Sequence, residues 1–309
     1  MKTYRQRLTA TLAATAAFLA SPALAHQESA VAPGADASAA SAQETGPALW
    51  KVADEDTTIY LFGTIHVLPE NVDWYSSPIE NALMSSDSII TEIKLDASTQ
   101  TKAQQLSMAR GMLPTGTTLR SLLDEETVAS YESALGKIGV PAAAFDQFKP
   151  WLAAMTLAVL PLIQDGYSPD AGVDQALVKK VPELQNDGLE TIEFQIGVFD
   201  GMTMDAQIAF LKEAADGVDD VKPMVDKMVE YWLAGDADML AKLMNENMEN
   251  PAVAETFLYS RNRNWASWID DRLEAPGTVF IAVGAAHLAG EQSVQDILAE
   301  RGIATDRVQ

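Results

Sequence analysis

Residues 57–66 read Thr-Thr-Ile-Tyr-Leu-Phe-Gly-Thr-Ile-His. A β-prone run enters Gly63 directly, and His66 follows three positions later. Glycine at a strand end permits a sharp turn or a close backbone approach, so the next side chains are presented beyond the strand's carboxyl end. The same grammar recurs at residues 278–287, Thr-Val-Phe-Ile-Ala-Val-Gly-Ala-Ala-His, where a buried strand is followed by Gly284 and His287. The chain has three histidines. Two close Gly-x-x-His turns after apolar strands, and the third, His26, lies near the N-terminus.

Around these two anchors the pattern alternates between strand and helix. Residues 48–52 read as a strand that forms a hairpin with 57–62 across the acidic turn 53–56. Residues 78–86 carry Ile79, Ala82 and Leu83 at helical spacing, and 88–93 form a short β-branched strand with Glu92 near its end. From 101 to 199 the pattern is mostly helical, broken by Pro114, Pro141, Pro161 and Pro169. A strand within 184–192 ends at Glu190. Residues 204–273 are helical again, and a last helix is expected over 291–300. The apolar run 151–163 is too short for a bilayer, which needs about 20 residues, and it contains Pro161. It reads as a core helix in preference to a groove wall. The expected fold class is α/β: a central mixed β-sheet flanked by helices, with a large helical insertion between N- and C-terminal α/β halves.

Residues 1–25 have the form of a secretory signal peptide. Lys2, Arg5 and Arg7 precede an apolar run from Leu8 to Ala20, and Ala23-Leu24-Ala25 gives a small-x-small site, so cleavage is expected after Ala25. This makes the expected location periplasmic or secreted, with no stable membrane span. Residues 26–47 are rich in Ala, Ser, Gly and Pro and read as a flexible lead; residues 48–309 read as one domain. The chain contains no cysteine, so its stability must come from a core and not from disulfides. Of its 21 Lys and Arg, three lie in the signal, which has no acidic residue; 18 then face 44 Asp and Glu. A surface that negative repels phosphates and excludes nucleic acid as a partner. Oligomeric state has no signature in the sequence.

Open α/β sheets bind ligands at the carboxyl edge of their strands. His66, His287 and Glu92 are all expected there. Two imidazoles and a carboxylate are a common set for a divalent transition metal, with positions left for water or substrate. Such an ion lowers the pKa of bound water toward neutrality and so suits hydrolysis. Singly, each residue has a plainer explanation: a strand-end His bonded to backbone, or a solvated Glu. Asp174 reads as a helix anchor, and Trp265 and Trp268 read as core residues one helical turn apart.

Six segments in order resemble the TraB/GumN family, which is related to the Tiki metalloproteases. They are LWKV…TIYLFGTIHVLP (49–69), SIITEIKLD (88–96), AGVDQALVKK (171–180), GLETIEFQ (188–195), SRNRNWASWI (260–269) and VGAAHLAGEQSV (283–294). The resemblance implies that His66, Glu92 and His287 are metal ligands for Mn, Co or Zn. It implies further that Glu190 assists proton transfer, that Arg261 orients substrate or stabilises an oxyanion, and that Asn262 contacts substrate. The expected activity is peptidase-like hydrolysis of a peptide or small acyl substrate. Distant relatives of the fold include erythromycin esterases, which hydrolyse, and ChaN-like haem binders, which do not. A non-enzymatic haem, metal or peptide binder of the envelope is therefore the alternative, followed by an accessory factor that keeps these motifs for structure. No His-Glu-x-x-His or Gly-x-Ser-x-Gly motif supports a zincin or a serine hydrolase.

Overall fold

The computed structural model of the chain describes residues 46–245 and 251–309. The expected leader and nearly all of the low-complexity lead fall outside these residues. β1 (Leu49–Ala53) and β2 (Thr57–Thr64) form the expected hairpin, and Asp54 Oδ1 accepts the amides of Asp56 and Thr57 in its turn. The short β3 (Leu68–Pro69) follows, then α1 (Ser77–Met84), β4 (Ser88–Ile93), α2 (Ala97–Gly111), α3 (Glu125–Lys137) and α4 (Pro150–Gln164). Next come β5 (Tyr167–Ser168), α5 (Val173–Lys180), β6 (Gln185–Glu190), α6 (Ile192–Asp200), α7 (Met204–Asp216), α8 (Val221–Leu233) and α9 (Ala237–Asn245). α10 (Pro251–Ala254) passes through a π-helical turn (Glu255–Tyr259) into α11 (Ser260–Arg272); β7 (Gly277–Gly284), α12 (Val294–Glu300) and β8 (Asp306–Arg307) complete the order.

Helix starts follow side-chain chemistry. Asp96, Asp124, Thr191, Thr203 and Ser293 each accept an amide of the first turn, at α2, α3, α6, α7 and α12. The last helix begins at Val294 and not at 291, because Gly290 and Gln292 both take positive φ before the Ser293 cap.

Six of the strands form one mixed sheet in the order β6-β4-β7-β2-β1-β8, while β3 and β5 pair antiparallel apart from it. Its first four members run parallel to one another, and β1 and β8 pair antiparallel. The two α/β halves expected from the sequence are therefore interleaved: β7 sits between β2 and β4, and the helical insertion itself supplies β6. Both faces are covered, which explains the unbroken apolar runs in β2 and β7. Ile59, Leu61, Val279, Ile281 and Val283 pack on α11 and α12, while Phe62, Phe280 and Ala282 pack against Trp74, α1 and α8. A third cluster, within the insertion, centres on α4 with Trp151 and Tyr131 fully buried, so the run 151–163 is core. Burying side chains of this size contributes roughly 1.5–3 kcal/mol each. Among the described residues no helix is long and apolar enough to cross a membrane.

Candidate functional site

Four parallel strands end along one sheet edge, and each delivers a polar side chain to it. β2 leads to His66, β4 carries Glu92, β6 ends on Glu190, and β7 leads through a short 3-10 turn to His287. The glycines of both His turns allow close approach, not unusual torsion. A Cβ on Gly63 would lie 3.1 Å from Ala285 Cα, and one on Gly284 would lie 3.0 Å from Glu92 Oε1 and 3.7 Å from His66 Nε2.

His66 is held from behind. Its Nδ1 donates to Asp174 Oδ2 at 2.6 Å, and Thr64 Oγ1 donates to the other oxygen, Oδ1, at 2.7 Å. Asp174 stands in the first turn of α5 and is 1% exposed. That helix is seated by the Val173 amide on the Ile65 carbonyl, and a side chain at Gly172 would overlap the His66 carbonyl. His287 is held in the same manner by Asn262: Nδ1 donates to Oδ1 at 2.5 Å, and Asn262 Nδ2 donates to the Gln292 carbonyl at 2.8 Å. Trp265 lies beside the His287 ring, with centroids 4.2 Å apart. With both Nδ1 atoms so occupied, each imidazole turns Nε2 toward Glu92 Oε1, at 3.7 Å from His66 and 3.9 Å from His287.

Arg261 binds the acidic side of the cluster. Nη2 donates to Glu92 Oε2 at 2.6 Å and to Glu190 Oε2 at 2.9 Å, and Nε donates to Glu190 Oε1 at 2.8 Å. Nη1 donates to the Phe257 carbonyl in the π turn at 3.1 Å and to His287 Nε2 at 3.2 Å. Gln195 Nε2 bridges Glu92 and Glu190 at 3.0 and 3.1 Å, and Trp265 Nε1 donates to Glu190 Oε1 at 3.0 Å.

This packing sets the charges. Burial disfavours a proton on His66, but Asp174 and then Glu92 outweigh it and push its pKa up to about 10. Burial and the adjacent Arg261 push His287 down to about 3. Burial would raise the Glu92 carboxyl; Arg261 and the imidazoles overcome it and hold the group well below the usual carboxylate range. Arg261 lies between the carboxylates of Glu92 and Glu190.

These contacts show where each expected site residue stands. Asn262, expected at the substrate, has both amide atoms engaged behind His287. Arg261 offers substrate no uncommitted nitrogen. Glu190, expected as a base, accepts four hydrogen bonds and anchors Arg261. Asp174 and Gln195 were not expected in the cluster; the glutamine closing GLETIEFQ was an available signal, whereas the burial of Asp174 has none in the sequence. Trp265 is core, as read, and also touches His287 and Glu190. Trp268 is half-buried and lines a cleft of about 530 Å³ with Glu190 and Phe194.

A divalent ion is compatible with this donor set, although among the described residues no three His, Asp or Glu groups form a ready-made cage. Two neutral-capable Nε2 atoms and one carboxylate oxygen face one another, each imidazole is oriented through its other nitrogen, and separations of 3.7 and 3.9 Å are what ligands about 2.0–2.2 Å from a shared ion can span.

Residues 48–307 match the TraB/PrgY/gumN family. The uncharacterized protein YbaP of Escherichia coli (strain K12) is 22% identical over 258 residues, covering 82% of this chain and 92% of that protein. YbaP of Shigella flexneri is 22% identical over 243 residues, covering 77% and 87%. No solved structure matches.

Proposed function

The chain belongs to the TraB/PrgY/gumN family, and on that footing we propose that it is an exported metal-dependent hydrolase, peptidase-like, acting on a peptide or small acyl substrate. One observation carries the reading: the carboxyl ends of β2, β4 and β7 bring two oriented imidazoles to face a single carboxylate oxygen. His66, Glu92 and His287 would hold Mn, Co or Zn. Such an ion supplies a nucleophile at neutral pH by acidifying water and polarises the substrate carbonyl.

The remaining residues position and compensate. Asp174 fixes the His66 ring, and Asn262 fixes the His287 ring, so that both Nε2 atoms point inward. Arg261 balances the charge of Glu92 and Glu190 and, with every nitrogen already engaged, acts on developing negative charge only through its field and not by a hydrogen bond to substrate. Glu190 clamps Arg261 and borders the open cleft, so its part in proton transfer begins when that clamp opens. A non-catalytic reading, a haem, metal or peptide binder, is favoured by one fact: Arg261 already neutralises Glu92 without help from an ion.

Metal analysis of protein purified without a His-tag, followed by digestion of a peptide library with Mn²⁺, Co²⁺ or Zn²⁺, separates the two. Stoichiometric metal with turnover is expected. Haem absorbance, or bound metal without turnover, would rule the hydrolase out.

A further inference from the structure

β6 is the terminal strand of the sheet: it pairs with β4 on one side, and no described strand pairs with its other edge. Its sequence, Gln-Asn-Asp-Gly-Leu-Glu, carries neither the proline nor the lysine that commonly blocks such an edge. The 530 Å³ cleft runs along this edge, lined by residues 187–190 of the strand itself. One wall is α11 with Trp268; the other is α6 with Phe194, which is 45% exposed although large and apolar. The Gly188 amide is bonded only 2.9 Å away to the carboxylate of its own neighbour, Asp187, an exposed side chain that another acceptor can replace. At the inner end stands Glu190, linked to both imidazoles through two intervening residues, Arg261 and Glu92.

We propose that an extended polypeptide segment docks here by adding a strand to the open edge of β6. Resting on the hydrolase reading, this makes unfolded polypeptide the substrate class. Main-chain hydrogen bonds would give affinity independent of sequence, and the two aromatic walls would take alternate side chains. Six residues of strand offer about 20 Å of edge at ~3.3 Å per residue. A strand laid along it is led to Glu190 and so to the buried cluster. A second copy of the chain fits the edge less well, because residues of both α6 and α11 flank the cleft and a sheet with its own covering helices would have to clear them.

The test uses amide hydrogen exchange of the whole secreted chain with saturating oxidised insulin B chain, an unfolded polypeptide, in the presence and absence of Mn²⁺. Slower exchange at residues 186–190 is expected under both conditions. Phe194→Ala and Trp268→Ala should each raise the KM for this peptide about tenfold, the loss typical of one aromatic anchor, with metal content unchanged. Cleavage without protection of 186–190 overturns the edge seat and leaves the hydrolase standing. Protection without cleavage supports the seat and counts against the hydrolase. Neither effect removes both. Protection that follows protein concentration and not peptide gives the edge to a second copy and overturns the proposal.

Discussion

Arg261 Nη2 lies 2.6 Å from Glu92 Oε2, and the same guanidinium donates to His287 Nε2. One fixed cation thus holds atoms of two of the three groups that would bind an ion. Arginine and metal compete for them. Arg261→Met leaves Glu92 buried and uncompensated, which should destabilise the ion-free protein by about 3–5 kcal/mol. Added Co²⁺ or Mn²⁺ should then raise the Tm of the variant more than that of the parent. Equal gains in thermal melts would sink the competition.

The two histidines make opposite demands on pH. The folded protein keeps a proton on His66 up to about pH 10, while the unfolded chain loses it near 6.5; stability held below that value is lost as pH rises toward 10. His287 resists protonation until about pH 3, so the unfolded chain gains protons first and stability falls as pH drops below about 6.5. Glu92, held low, adds to the acid side below its ordinary value of 4.5. Urea melts of chelator-treated protein should therefore peak near pH 6.5. Metal should flatten the alkaline limb, since a ligating imidazole is neutral. A flat profile from pH 7 to 10 without metal would contradict the charge assigned to His66.

Asp174→Asn retains the shape behind His66 and removes the charge. Burial then outweighs what remains, so the His66 pKa should fall from about 10 to near or below the ordinary 6.5. Proton NMR of the His66 ring through a pH titration measures this directly. An unchanged midpoint would show that Glu92 alone charges the ring.

Much of this site was legible because its elements are local. A strand, a glycine and a histidine lie within ten residues at both 57–66 and 278–287, and Glu92 ends a strand of obvious β character. The partners behind them are not local. Asp174 reaches His66 across 108 positions, and nothing in Gly-Val-Asp tells a buried orienting acid from a helix anchor. For Arg261 the residues alone favour an ion pair in so acidic a chain, and the substrate role comes from the family resemblance; that its partners are Glu92 and Glu190 is not written in the sequence. The sheet shows the same limit: hairpin β1–β2 follows from adjacency, whereas the placement of β7 between β2 and β4 is a long-range pairing that hydropathy cannot specify.

Gly284 marks the tightest point. Gly284→Ala places a methyl 3.0 Å from Glu92 Oε1, inside the space shared with His66 Nε2 and His287 Cδ2. Overpacking of this kind typically costs about 1–3 kcal/mol. Co²⁺ affinity, followed by visible absorption, should fall at least about tenfold, the scale of a disturbed ligand shell. Full metal affinity in the alanine variant would mean that the ion, if any, sits elsewhere.

The interleaving of β7 ties the site to the order in which the chain is made. β2 and β4 emerge early, yet the strand that joins them and the second imidazole belong to residues 277–287, close to the last residue of the chain. Until that segment arrives, β2 and β4 have no common neighbour and His66 and Glu92 have no reason to meet. A product broken off before residue 277 therefore carries every side chain of the cluster except His287 but lacks the strand that sets His66 beside Glu92. The cluster can come together only once residues 277–287 have joined the sheet.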